Sequence, residues 1–363
     1  MAGIKDKMKK VAEAVEKGSK VAAEKAKVAG KAIGAGSVTA VEKAKSAGKA
    51  IGAGSKTAVT KTKAAVDSTH DALVKAIDQD GNGMIDSTDL ILIALKVPGV
   101  KVNREKFLRK ELARHCSEDV INKAVNETPA IAGIDSDLID KLVDETIKFE
   151  RNAVSGISAA LGMPGGAAMA ATIPADIAQY YGYMLRAAQK MMYFYGFPEL
   201  DTSGDGVNID TETINSLTVC LGIMYGVANA NIALKAMAKA LATGVEKQLM
   251  RRALTKGTIY PIVKSVAKWF GKRMTKEIFS GFFKKAIPVV GGIVGGGLTY
   301  ATFKPCCNRL KKTLCDTSLS NPQYQMTDEE EKVYEAIRTG EVIDVWPEEL
   351  TEADEVEIEE ENE

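Results

Sequence analysis

Between Ser155 and Leu200 the chain reads SGISAALGMPGGAAMAATIPADIAQYYGYMLRAAQKMMYFYGFPEL, and this stretch restricts the fold more than any other. Its first half is apolar and uncharged, and it is broken by Met163-Pro164-Gly165-Gly166. A turn with that composition forbids one continuous helix across the run. Proline loses no needed hydrogen bond in a helix's first turn, so Pro174 predicts a fresh helix start. From there a helix would carry Asp176, Gln179, Tyr180, Tyr181, Arg186 and Lys190. The pattern predicts an apolar hairpin feeding an amphipathic helix, with the flanking segments packed around both.

Those flanks are helical in pattern too. Residues 104–114 and 137–149 place apolar side chains three and four positions apart, and no run alternates with period two. The expected fold class is all-α, a multi-helix bundle with Gly-rich apolar helices. Three uncharged stretches, 152–175, 213–234 and 286–303, approach the length of a membrane span. Pro164-Gly165-Gly166 splits the first, and asparagines punctuate the second. The third is short and glycine-dense, with Gly291/Gly295 and Gly292/Gly296 in a spacing that lets helix backbones approach closely. Buried helices are the expected reading of all three. Shallow insertion of 286–303 stays open, since Lys284, Lys285 and Lys304 flank it.

Zero formal charge conceals strong polarity. Residues 1–75 hold sixteen lysines and no arginine against seven acids, whereas residues 327–363 hold seventeen acids against Lys332 and Arg338. The basic arm contains a repeat: VAGKAIGAGSVTAVEKAK (28–45) is followed by SAGKAIGAGSKTAVTKTK (46–63). Its 18-residue period is five α-helical turns, so Val15, Ile33 and Ile51 share one face and lysines gather on the other. The apolar face is thin, and the glycine pairs disfavour a helix in water. An anionic lipid surface would induce it, each lysine contributing about 1 kcal/mol. A disordered arm that neutralises the acidic tail is the other reading, and the membrane is favoured over it. Nucleic acid is disfavoured as partner, because arginine and interleaved aromatics are both missing from the arm. The tail, poor in apolar residues, is expected to be mostly disordered with one short helix near Lys332–Arg338. Its charge would hold the arm off a membrane until salt, a cation or lipid competes.

The sharpest local signal is Asp78-Gln79-Asp80-Gly81-Asn82-Gly83-Met84-Ile85-Asp86-Ser87-Thr88-Asp89. A hard divalent cation takes six to eight oxygens, and this spacing supplies them. Side-chain donors sit at Asp78, Asp80, Asn82, Asp86 and Asp89, with the Met84 carbonyl between them and Gly83 for the sharp turn. The pattern is that of an EF-hand loop, with Ile85 at the apolar position where paired loops meet in a short strand. Asp89 replaces the usual glutamate, which makes bidentate ligation harder and shifts preference from Ca2+ toward Mg2+. A weaker second candidate is Asp201, Ser203, Asp205 and Glu212. Its register is offset by one and Pro198 interrupts the incoming helix, so a solvated connection fits equally well.

Signs of catalysis are few. Asp176, Gln179, Arg186 and Lys190 share one predicted helix, and Asp176 with Lys190 could in principle exchange protons. No nucleophile elbow, P-loop, zinc-protease motif or dinucleotide fingerprint occurs. A helix-stabilising polar face is the expected role, and no catalytic residue is assigned. The five cysteines (116, 220, 306, 307 and 315) match no zinc spacing and are expected to be reduced thiols.

The run PGGAAMAATIPADIAQYYGYMLRAAQKMMYFYGFPEL resembles the bacterial EcsC family. The likeness extends through residues 104–134 upstream and 253–305 downstream. What the resemblance implies is narrow: the namesake stands beside an ABC transporter, the family has no established biochemical activity, and no catalytic residue is supplied. A regulatory or scaffolding role, linked to a transport or proteolysis system, is the expectation built on it. Four parts are therefore expected: a lysine-rich arm (1–66), an EF-hand-like helix–loop–helix (67–99), an EcsC-like helical body (100–320) and an acidic tail (321–363). The expected protein is cytoplasmic, binds Ca2+ or Mg2+, and docks peripherally on the inner face of the cell membrane, with an unidentified protein partner.

Overall fold

A computed structural model describes residues 77–161, 167–202, 209–273 and 291–343. The lysine-rich arm, residues 286–290, and the tail beyond 343 lie outside the described residues. Eleven helices and no strand occur among the described residues, so the all-α expectation holds.

The helices begin where the sequence offers caps. Helix α1 (Ser87–Leu95) is entered through Asp86, whose side chain accepts from the Thr88 N–H, while Asp89 reaches back to the Asp86 N–H in a capping box. Asn103 opens α2 (Arg104–Leu112), and Ser117 stands at the N-cap of α3 (Glu118–Asn126). Two long helices follow, α4 (Ser136–Leu161) and α5 (Ala167–Phe194). Asp210 caps α6 (Thr211–Met224). Then come α7 (Ala230–Ala242), α8 (Lys247–Lys256), α9 (Tyr260–Arg273) and α10 (Gly291–Cys315). Helix α11 (Asp328–Thr339) starts on a Thr327/Glu330 capping box and stops at Gly340, which takes the left-handed backbone such a stop needs.

Pro174 does not begin a helix. It lies inside α5, which is already helical at Ala167. A proline removes one backbone hydrogen bond but its φ is compatible with a helix, so alanine-rich turns before it can continue through.

The uncharged stretch 213–234 is two helices. Helix α6 buries almost every side chain from Thr213 to Met224, the mark of an element surrounded on all sides. The chain then breaks between Tyr225 and Asn229, where Asn229 adopts a left-handed φ of 63°. Close packing around α6 needs Gly222, since a Cβ there would stand 2.5 Å from Val266 Cγ2 on α9 and 3.2 Å from Ala230 Cβ on α7.

Helices α4, α5 and α10 form the other half of the bundle. Thr299 meets Ser158 and Lys311 meets Asp144, so α4 and α10 run antiparallel. Tyr195 donates to Asp140 and Arg186 to Glu150, which makes α4 and α5 antiparallel as well. No described helix is long and apolar enough to cross a membrane.

Two expected boundaries dissolve. Helix α1 packs on α5, α6 and α9, and Leu90, Ile91, Ala94 and Leu95 join the common core. The loop and its helix therefore belong with the body, in the unit Thr69–Glu363. At the other end, α11 packs on α7 and α8 through Val333, Tyr334, Ala336 and Ile337. The body thus continues past residue 321 through α11. A single short helix with four buried apolar residues has surface enough to dock, despite its acidic composition.

Candidate metal centre

Gly81 and Gly83 both take positive φ, 75° and 82°, and so fold the chain back over Asp78. The Asp78 carboxylate accepts from the Gly81 N–H at 2.7 Å and from the Gly83 N–H at 2.9 Å. Asp80 accepts from the Asn82 N–H at 3.0 Å, and Asn82 Oδ1 accepts from the Met84 N–H at 2.8 Å. Each donor side chain thereby orients the next turn of backbone.

The far end of the loop is fixed by α1. Asp89 Oδ1 accepts from the Gln79 N–H at 2.6 Å, and Oδ2 accepts from the Asp86 N–H at 3.0 Å. One carboxylate thus ties the second residue of the loop to its ninth. Asp89 is 0% exposed, whereas Asp78 is half-buried and Asp80 exposed. Oxygen atoms of Asp78, Asp80 and Asp89 all lie within 4.8 Å of one another. Burial pushes the Asp89 carboxyl above its usual range; the two N–H donors oppose that shift, and the charges of Asp86 and Asp80 reinforce it.

The remaining expected ligands fall differently. Asp86 is outside the convergent group, its Oδ1 held by the Thr88 N–H at 2.6 Å. Asn82 Nδ2 donates to Asp80 Oδ2 at 2.8 Å. The Met84 side chain is 63% exposed, which suits a residue whose backbone carbonyl would be the donor. Ile85 is buried in the common core, and its carbonyl faces Gly271 of α9, where a Cβ would stand 3.9 Å away. The incoming helix is described only at Ile77, which is helical and fully buried.

The weaker candidate is not assembled among the described residues. Ser203 and Asp205 lie outside them, Asp201 is exposed, and Glu212 sits in the first turn of α6. Burial and Asp210 raise the Glu212 pKa, while Arg251 and Lys247 lower it. A carboxylate facing two cations is poorly placed to attract a third.

On α5 the polar residues have structural work. Arg186 Nε donates to Glu150 Oε2 at 2.8 Å and its Nη2 to the same oxygen, while Lys190 Nζ meets Oε1 at 2.7 Å. Glu150 is fully buried. Gln179 is half-buried, and the Asp176 side chain lies outside the described residues. Tyr181, Tyr193 and Tyr195 are core residues, with Tyr180 and Tyr183 at the core edge, as their helical spacing implied. All five cysteines are free.

Two residues that sequence reasoning passed over, Glu150 and Gln189, connect this helix to the rest. Gln189 is fully buried, accepts from the Val102 N–H at 3.2 Å and donates to the Val100 carbonyl at 3.0 Å. The segment leaving α1 is thereby held to α5. Nothing in their local sequence marks them; only the alignment of α5 against α4 and the 97–102 segment does.

The geometry defines an all-α bundle with an acidic surface loop anchored to its core through Ile85 and Asp89. Comparison of the chain with protein-family models, with curated proteins and with solved structures finds no match.

Proposed function

We propose that the chain binds a divalent cation, Ca2+ or Mg2+, in the loop Asp78–Asp89, and that it works as a regulatory or scaffolding protein docked on an anionic membrane surface. The observation that carries the cation reading is the convergence of Asp78, Asp80 and Asp89 on one point, with Asp89 fully buried. Three carboxylates so close repel one another, and a buried one lacks water to disperse its charge. A hard cation resolves both problems at once. Asn82 would give up its bond to Asp80 so that both side chains offer oxygen. Asp86 would act through a water, as the ninth loop position commonly does.

Membrane docking is supported by the lysine-rich repeat at 28–63, whose basic face suits anionic lipid. The likeness of 104–134, 164–200 and 253–305 to EcsC-type sequences supports a role beside a transport or proteolysis system, on the cytoplasmic face. The burial of α1 favours a second version of the cation's role. The loop is anchored in the core through Ile85 and α1, so the ion would stabilise the whole fold as well as respond to its concentration.

Calorimetric titration of the full chain with Ca2+ and with Mg2+, repeated on Asp78→Ala, tests the cation. Saturable binding lost in the variant is expected, and indifference to both ions would remove the reading. Co-sedimentation with anionic vesicles, with and without Ca2+, tests the docking.

A further inference from the structure

Helices α4 and α10 enclose a groove of about 560 Å³ lined by five cationic side chains and one carboxylate. The carboxylate, Asp144, is already paired with Lys311 at 2.9 Å. Lys148, Arg151, Lys304 and Lys312 have no acidic partner among the described residues, and Asn308 adds an amide beside them. Asp137, Asp140 and Glu145 border Lys148 and Lys311 on the side away from Arg151, so the excess of positive charge lies toward Arg151 and Lys304, where an anion with several oxygens would relieve the repulsion.

Position in the bundle says which anion. Arg151 and Lys304 are the last charged residues before both helices become uncharged: α4 has none from Asn152 to Leu161, and α10 none from Gly291 to Phe303. The neighbouring end of α5, Ala167 to Ala175, is uncharged as well. The Thr299–Ser158 and Thr302–Tyr180 contacts bring these three segments to one end of the bundle. At the boundary Tyr300 is 48% exposed, and the Arg151 guanidinium stacks 3.9 Å from its ring centre. A belt of tyrosine and basic side chains bordering an uncharged end is the arrangement by which proteins sit at a bilayer interface.

We propose that the α4/α10 groove binds the phosphate headgroup of an anionic phospholipid and seats the uncharged end of the bundle on the membrane. The inference rests on the membrane-docking reading and adds to it a site on the body, separate from the lysine-rich arm. Lys148 and Lys304 would reach the phosphate from opposite walls, while Tyr300 lies at headgroup depth.

The test measures partitioning of the full chain onto vesicles of phosphatidylcholine alone and of phosphatidylcholine mixed with phosphatidylglycerol. A groove variant, Lys148→Glu with Lys304→Glu, is compared with an arm variant, Lys31→Gln, Lys45→Gln, Lys49→Gln and Lys63→Gln. Each cation at an anionic surface is worth about fivefold, so the groove variant, which loses two, should bind anionic vesicles about 25-fold or more weakly and neutral ones unchanged. Undiminished binding of the groove variant beside a weakened arm variant overturns the groove and leaves the docking reading intact. If the unmodified chain ignores anionic vesicles, both fall. A Tyr300→Trp chain gives an independent reading that keeps the groove's charges. Its emission should shift to the blue on anionic vesicles relative to the parent, and no shift would refute seating at this end.

Discussion

Lys190 Nζ stands 2.7 Å from Glu150 Oε1, and Glu150 exposes none of its surface. Arg186 takes the other oxygen, so one carboxylate on α4 holds two cations on α5. Replacing a whole buried ion cluster by well-packed apolar groups is often neutral for stability, but removing one partner strands the others. Glu150→Ala should therefore lose about 3–5 kcal/mol in urea unfolding, with Glu150→Gln losing less because the amide still accepts. A cost under about 1 kcal/mol for the alanine variant would show the cluster to be well solvated.

The cation loop can be tested through stability as well as heat. Binding to the folded state alone raises stability by about 2.7 kcal/mol at a hundredfold excess over Kd. Asp80 is the informative position, being exposed and, among the described residues, hydrogen-bonded to Asn82 within the loop. Asp80→Ala should abolish the Ca2+- or Mg2+-induced rise in melting temperature, while stability in chelator changes by less than about 0.5 kcal/mol. A rise of full size in the variant would contradict the assignment.

Gly182 marks where α5 meets the segment following α1. A Cβ there would lie 2.9 Å from Val100 Cγ2 and 3.5 Å from the Ala94 carbonyl. Gly182→Val should cost about 1–3 kcal/mol by overpacking, and it should weaken cation binding by displacing the helix that carries Asp89. Gly156 in α4 has open space around it, so Gly156→Ala should instead stabilise by about 0.5–1 kcal/mol. Chemical denaturation of both variants distinguishes crowding from ordinary helix propensity.

Arg104 is buried and donates to the carbonyls of Ala124, Val125 and Glu127 at the end of α3, and to that of Phe197. A lysine cannot reproduce that fork. Arg104→Lys should lower stability by about 2–3 kcal/mol, and hydrogen exchange should quicken in α3 before it does in α5. Uniform exchange across both helices would argue against a local role.

Alkali should unfold the protein in a defined window. Burial pushes Tyr181 and Tyr193 up from 10.0 to about 12, and Cys220 from 9.0 to about 12. Between the ordinary and the folded values, the unfolded chain releases these protons and the folded chain keeps them. Stability is then complete below about pH 9 and falls as pH rises, by about 1.4 kcal/mol per unit for each group. The urea midpoint should follow that course, and tyrosinate absorbance should appear together with unfolding. Tyrosine ionisation in a chain that stays folded would contradict the burial.

Much of this architecture follows from spacing along the chain. Apolar residues at three- and four-residue intervals, with Asp86, Asn103, Asp210 and Thr327 at helix starts, specify helices by interactions a few residues long. The loop 78–89 is equally local, since its glycines and carboxylates act on backbone within the same twelve residues. Local cues also misled at Pro174, where packing outweighed a start signal, and at 321, where an acidic composition concealed four docking residues.

Tertiary structure alone decided which charges meet. Glu150 faces Arg186 and Lys190 across two helices, and Gln189 grips a segment nearly ninety residues earlier. The groove cations on α4 and α10 stand more than 150 residues apart in sequence. Periodicity names the face of a helix but not the helix opposite it. The register between helices comes from summed packing over the whole core, and it is this register that turns scattered charges into a clamp and a basic groove.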